Sequence, residues 1–332
     1  MKLRQLHVKI GLCSLNNDPL DFRNNYRKIK QSIEECKRMN CSIRMGSEME
    51  IPGYACNDHF LEYDTVFHSW DVIRDIILSG VTNGIVADVG LPILHKAAMY
   101  NGRVILHNSK VVGIRVKQIM ADGGNYFETR YFSAWKHPRS VGEFMLPQVV
   151  QEVTGQLTVP IGVFVINFND TSLAYEICEE AWISDNPMID AALDGAEIFV
   201  NVSASDSERG KLKRKLQMIE ELTERHGGAY MYVNIKGMQG DRNYLDGGCF
   251  FSENGKIKEL SEPFHLGEVQ ITPVTINLNT IRTFRINNRS FQKESHGVTL
   301  IPRVKIDVSI ANNSEEYIYD GSEHRDQLQR RR

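Results

Sequence analysis

Ser172-Leu-Ala-Tyr-Glu-Ile-Cys-Glu-Glu-Ala-Trp182 is an apolar stretch that ends abruptly in a cysteine flanked by carboxylates. A sulfur at the end of a buried strand, with a turn or helix beginning just after it, is held rigidly and can be approached from outside, as in a nucleophile elbow. Cys178 alone does not establish this, because most cysteines are small, buried and inert. Two other residues have similar settings just past strands, Glu48 and Lys117. A carboxylate, an amine and a thiol are the groups needed for thiol-based cleavage of an amide.

Outward from this stretch, residues 163–166 and 174–177 read as paired strands, as do the two halves of 103–117 around an Asn108-Ser109-Lys110 turn. Residues 8–15 alternate as a strand, and Asp21 caps a helix with Phe22, Tyr26, Ile29, Ile33 and Cys36 on one face. A short strand at 42–45 runs into the Gly- and Pro-containing loop that carries Glu48. Ser69 reads as the cap of a second helix, with Trp70, Ile73, Ile76 and Ile77 on one side. The run 84–91 is nearly all apolar, as expected of a covered strand. A short helix near 187–193 precedes a strand at 196–202. Leu212, Leu216, Ile219 and Leu222 then mark a helix closed by Gly227, and a strand at 229–235 leads into hairpins up to about residue 280. Interleaved helices and strands, several strands joined directly, predict a mixed sheet or a pair of sheets covered by helices.

With 332 residues, 42% hydrophobic and 24% charged, the chain can bury a large core. A formal net charge of −3 gives no reason to expect nucleic acid or an acidic membrane surface as partner. No apolar run approaches the roughly 20 residues of a membrane helix, and the charged N-terminus lacks a signal peptide's apolar core. The six cysteines form no CxxC pair, which suggests free thiols in the cytoplasm. Residues 312–332 are polar and end in three arginines, so the segment from 311 onward reads as a tail or connector beyond a domain spanning 1–310.

Each candidate residue also has a plain structural reading. Glu48 is a surface-loop glutamate, or a general base that takes the thiol proton and later activates water. Lys117 is a lysine snorkelling from a sheet edge, or a cation that favours the thiolate and holds the oxyanion. Glu176, Glu179 and Glu180 crowd the thiol and demand a cation, for which Lys117 is the candidate. Glu128 is either a second carboxylate orienting Lys117 or half of a structural ion pair. Asp122-Gly-Gly-Asn-Tyr126 fits neither a P-loop nor a dinucleotide spacing. Asp241 and Arg242 read as structural charges beside a turn.

The order Glu, Lys, Cys, each just past a strand, resembles the nitrilase or carbon–nitrogen hydrolase superfamily. Gly46-Ser-Glu-Met-Glu-Ile-Pro-Gly-Tyr54, Gly124-Asn-Tyr126, Glu176-Ile-Cys-Glu-Glu-Ala-Trp182 and Lys236-Gly-Met-Gln-Gly-Asp-Arg242 are similar to the glutaminase domain of eukaryotic glutamine-dependent NAD synthetases. The resemblance runs from about residue 5 to about residue 310. It implies an α/β fold, a four-layer αββα sandwich. It implies that Cys178 attacks the side-chain amide of glutamine, with Glu48 as base and Lys117 as oxyanion donor. Tyr54, Tyr126, Glu179 and Ser203 would line the glutamine site. The hydrolase step would need no metal or cofactor. In the family, ammonia passes to a C-terminal domain that uses ATP and Mg to convert deamido-NAD to NAD, and the Ser-Gly-Gly-x-Asp-Ser loop of that domain does not occur here. The resemblance further implies a homo-oligomer. It leaves open an amidase of other specificity, or a non-catalytic paralogue that assembles with a full-length synthetase. The arginine expected after the Asn-x-Ser-x-Ser turn falls on Gly210, and Asp206 and Ser207 replace histidines of the animal enzymes, leaving Arg209 or Lys211 for the substrate carboxylate.

Overall fold

Strands apolar on both faces need cover on both sides. The computed structural model, which describes residues 3–137, 139–240 and 242–316, provides it with four layers. The chain begins with β1 (Leu3–Leu15), α1 (Phe22–Arg38), β2 (Ile43–Met45), α2 (Tyr63–Leu78), β3 (Val86–His95), β4 (Ala98–His107) and β5 (Lys110–Val116). It continues through β6 (Val141–Met145), α3 (Gln148–Thr154), β7 (Thr158–Gly162), β8 (Val165–Asn167), β9 (Ser172–Ile177), α4 (Pro187–Leu193), β10 (Ile198–Ser203), α5 (Lys211–His226) and β11 (Ala229–Asn234). The last third holds β12 (Lys236–Gln239), β13 (Asn243–Asp246), β14 (Phe250–Glu253), β15 (Lys256–Leu260), β16 (Val269–Asn277), α6 (Leu278–Asn287), α7 (Arg289–Ser295), β17 (Arg303–Lys305) and β18 (Ala311–Glu316).

One sheet runs β16-β1-β2-β3-β4-β5-β7-β6, with β18 also on β1; a second runs β15-β14-β11-β10-β9-β8-β17, and β12 and β13 pair as a small separate sheet. The inner faces of the first two meet through Val8, Ile10, Leu12, Ile43 and Met45 on one side and Tyr175, Ile177, Val200, Val202 and Met231 on the other. The outer face of the first sheet buries Val89, Leu91 and Val104 against Ile29 and Ile33 of α1 and Trp70 and Ile73 of α2. The second sheet buries Phe199, Tyr230 and Tyr232 against Met188 and Ala191 of α4 and Ile219 of α5. Asp21 caps α1 by accepting from the Asn24 amide at 3.2 Å.

Four expectations need correction or limitation. α2 begins at Tyr63, so Ser69 is not its cap; it lies mid-helix and donates back to the Thr65 carbonyl at 2.7 Å. The buried face of α5 is centred on Lys215, Ile219 and Thr223, with Leu216 and Leu222 only on its flanks. Residues 311–316, placed by sequence in a polar tail, form β18 antiparallel to Leu3–Val8. Backbone pairing stabilises that strand without an apolar face. Asp241 and the segment 317–332 lie outside the described residues.

A buried charge network fixes the loop after β2. Arg44 donates to Glu50 at 2.6 and 3.0 Å and to the Asp88 carbonyl at 2.8 Å. Arg103 of β4 pairs with Asp88 at 3.0 Å and donates to the Ser47 carbonyl. The Gly46 amide donates to the Asp88 carboxylate at 2.6 Å, and a Cβ there would lie 1.7 Å from a Glu50 oxygen. Removing one member of a dry network strands the opposite charge, at a cost of about 3–5 kcal/mol. Arg44→Met is therefore expected to lower unfolding free energy by about that amount. Urea midpoints with an unchanged m-value check it, and a loss below about 1 kcal/mol would show the network to be dispensable.

Candidate active site

β9 lies parallel to β10 with Ile177 opposite Val202, so the register brings Cys178 and Ser203 to the same end of the second sheet. Cys178 follows directly and has φ +49°, the left-handed region that a side chain rarely occupies. Backbone strain of this kind persists only where the surroundings enforce it. Here the Asn201 amide group donates to the Cys178 carbonyl at 3.2 Å, and Glu180 accepts from the Ile177 amide at 2.9 Å.

Glu180 also accepts from the Gln118 amide at 2.5 Å and from Arg115 at 2.6 Å. One buried carboxylate thus ties the elbow of Cys178 to the strand end carrying Lys117. Lys117 favours the ionised Glu179 carboxylate, and the cation that pairs with Glu180 is Arg115. Sequence reading missed it, although an arginine inside the apolar run of β5 signals a buried ion pair. The third carboxylate, Glu176, turns away and accepts from the Tyr230 hydroxyl at 2.5 Å and the Met188 amide at 3.1 Å.

Lys117 is fully buried and donates to Glu48 at 2.7 Å and Glu128 at 2.8 Å. Glu48 also accepts from Asn101 at 2.7 Å and from the Ala204 amide at 2.9 Å. Glu128 also accepts from the Tyr54 hydroxyl at 2.8 Å and the Ala121 amide at 2.7 Å. Burial alone would depress the lysine, but the Glu128 and Glu48 carboxylates hold its pKa well above the ordinary range. Glu128 is pushed up by burial, opposed by Lys117.

The Cys178 thiol is 4% exposed, less open than its sequence position suggested. Burial raises its pKa, the Glu48 carboxylate adds to this, and Lys117 opposes both. The resting sulfur is therefore a thiol, and its proton needs an acceptor when it reacts. The Ser203 hydroxyl lies against the thiol and donates to Asn201 at 2.7 Å.

Tyr54 and Tyr126 meet edge to face at 6.2 Å between ring centres and border a cavity of about 30 Å³, room for a water or two. The Tyr126 hydroxyl donates to Asp206 at 2.5 Å, and Asp206 also takes Lys211 at 2.5 Å. Glu179 is half-buried beside the elbow, and burial raises its pKa. Of the sequence-derived candidates, Glu48, Lys117, Glu128, Tyr54, Cys178 and Ser203 come together. Arg209 does not join them; it is exposed and forms no ion pair among the described residues. Among those residues no cluster of His, Cys, Asp or Glu is placed to hold a metal ion, and no helix is long and apolar enough to cross a membrane.

The chain belongs to the carbon-nitrogen hydrolase family, whose model matches residues 9–286. It is 40% identical over 299 residues to the glutamine-dependent NAD(+) synthetase of Oryza sativa subsp. indica, covering 90% of this chain and 41% of that protein. A solved glutamine-dependent NAD(+) synthetase from Cytophaga hutchinsonii superposes with a TM-score of 0.71 at 26% identity, over 81% of this chain and 43% of that one. The Nesterenkonia AN1 amidase of the nitrilase superfamily shares the fold, with a TM-score of 0.63 at 14% identity over 88% of this chain and 98% of its own. The chain spans about two-fifths of the length of the curated synthetases it matches.

Glu176 gives a pH dependence that can be checked. Burial raises its pKa from 4.5 to about 7, the Tyr230 hydroxyl opposing. The folded chain then binds a proton that the unfolded chain releases. This contribution to stability is complete below pH about 4.5 and is lost as pH rises to about 7, a change of about 3 kcal/mol. Relative to the native chain, Glu176→Gln is expected to gain about that much between pH 4.5 and pH 7.5 in urea unfolding. A pH-independent difference would show that Glu176 is ionised throughout.

Proposed function

We propose that the chain is a glutamine amidohydrolase in which Cys178 is the nucleophile, Glu48 the base and Lys117 the oxyanion donor. The observation that carries this is the buried Lys117 ammonium shared between Glu48 and Glu128 at 2.7 and 2.8 Å, beside the strained turn of Cys178. Glu48 takes the thiol proton as sulfur attacks the amide carbon. Lys117 meets the negative charge that develops on the amide oxygen. The proton passes to the leaving nitrogen, ammonia departs, and a glutamyl thioester remains. Water, deprotonated by Glu48, then splits the thioester to glutamate and restores the thiol. The raised thiol pKa supports a base-assisted attack over a preformed thiolate.

The likeness to glutamine-dependent NAD(+) synthetases supports glutamine as the amide and a nitrogen-accepting unit as the destination of the ammonia. That unit would use ATP and Mg to aminate deamido-NAD, while the thiol chemistry itself would need neither. A second reading, an amidase for other primary amides, draws on Asp206, which neutralises Lys211 at the rim of the site.

Ammonia and glutamate release from glutamine by the purified chain tests the proposal. Cys178→Ala is expected to abolish release while the fold persists; native-like release would remove Cys178 as nucleophile. Lys117→Met is expected to lower kcat by 10²–10³-fold, about 3–4 kcal/mol of transition-state stabilisation. A rate near that of the native chain would remove its oxyanion role.

A further inference from the structure

We propose, on the glutaminase reading above, that Lys215 receives the α-carboxylate of the substrate. The segment after β10 carries several basic side chains, and those nearest the site are excluded by their surroundings. Arg209 is exposed. Lys211 is already held by Asp206 at 2.5 Å and Glu208 at 3.0 Å.

Lys215 lies one turn further along α5. It is 2% exposed and sits at the centre of the face that the helix buries. Its Nζ lies 4.7 Å from the centre of the Tyr232 ring, and no carboxylate of the described residues lies within ion-pair distance. Lysine is almost never fully buried without a partner, because an unpaired charge away from water is costly. The Tyr232 hydroxyl is likewise buried and has no hydrogen-bond partner within 3.5 Å among the described residues; it faces Ser203 and Ser205, and Ser203 closes on the Cys178 thiol. An unpaired ammonium and an unpaired hydroxyl therefore share one aromatic side chain beside the nucleophile. Burial presses the lysine's pKa down, while Asp246, Cys178 and Asp206 act to raise it, which places Lys215 in the electrostatic field of the site.

A carboxylate supplies what this pair lacks, a countercharge and an acceptor. Glutamine carries one at its α-carbon. The same molecule with that carboxylate blocked as an amide would leave Lys215 unpaired, so discrimination follows from the cost of the unfilled site.

The test compares L-glutamine with L-glutamine α-amide, in the native chain, Lys215→Met and Lys215→Arg. Lys215→Met is expected to lower the ratio of kcat/KM for glutamine over the blocked amide by about tenfold or more, the size of one lost charge-assisted hydrogen bond. The change should fall mainly in KM for glutamine, with Lys215→Arg recovering part of it. The thermal midpoint of Lys215→Met should stay level or rise, because an uncompensated buried charge is gone. A lower midpoint with equal losses on both amides would make Lys215 a packing residue and overturn the proposal. An equal fall in kcat on both, with a displaced pH profile, would assign it to the thiol and overturn it too. If the folded native chain releases ammonia from neither amide, the glutaminase reading fails, and this proposal with it.

Discussion

An ammonium shared by two carboxylates in a region closed to water is the constraint on which the rest of this structure depends. Lys117, Glu48 and Glu128 come from the end of β5, the loop after β2 and a short turn near residue 128. Each charge is tolerable only while the others are present, since a lone ion in such surroundings costs several kcal/mol. The three segments are therefore held in one arrangement. The Arg44, Asp88, Arg103 and Glu50 network likewise ties the loop that carries Glu48 to β2, β3 and β4.

The second buried pair, Arg115 with Glu180, connects this arrangement to the other sheet. Glu180 touches both the residue before Cys178 and the residue after Lys117. The turn of Cys178 and the strand end of Lys117 are thus tied together by one carboxylate. Preorganisation of this kind fits a reaction whose main difficulty is charge developing on an oxygen.

Much of this was legible from sequence because the signals were local. Strand ends at Cys178 and Lys117 follow from apolar runs that stop, and the cap at Asp21 follows from its helix stripe. The misreadings are places where chemistry overrode pattern. Ser69 satisfies its own hydroxyl within a helix turn, so a residue that often starts helices sits inside one. Lys215 lies on the buried face of α5, but a lysine between leucines is naturally assigned to solvent. β18 has no apolar alternation, because edge pairing with β1 holds it. Arg115 and Glu180 stand 65 residues apart, and no local pattern joins them.

The shelter around Cys178 has a consequence for its reactivity toward other chemistry. Peroxides and small alkylating reagents react with thiolates at accessible sulfur. A thiol that is 4% exposed, with its proton retained by burial and a neighbouring carboxylate, offers neither property at rest. The Cys178 sulfur is thereby spared indiscriminate oxidation. On the proposed mechanism, an electrophile that captures this buried sulfur must also leave its proton with Glu48, so a reagent shaped like the proposed amide substrate is expected to react where small alkylating reagents do not.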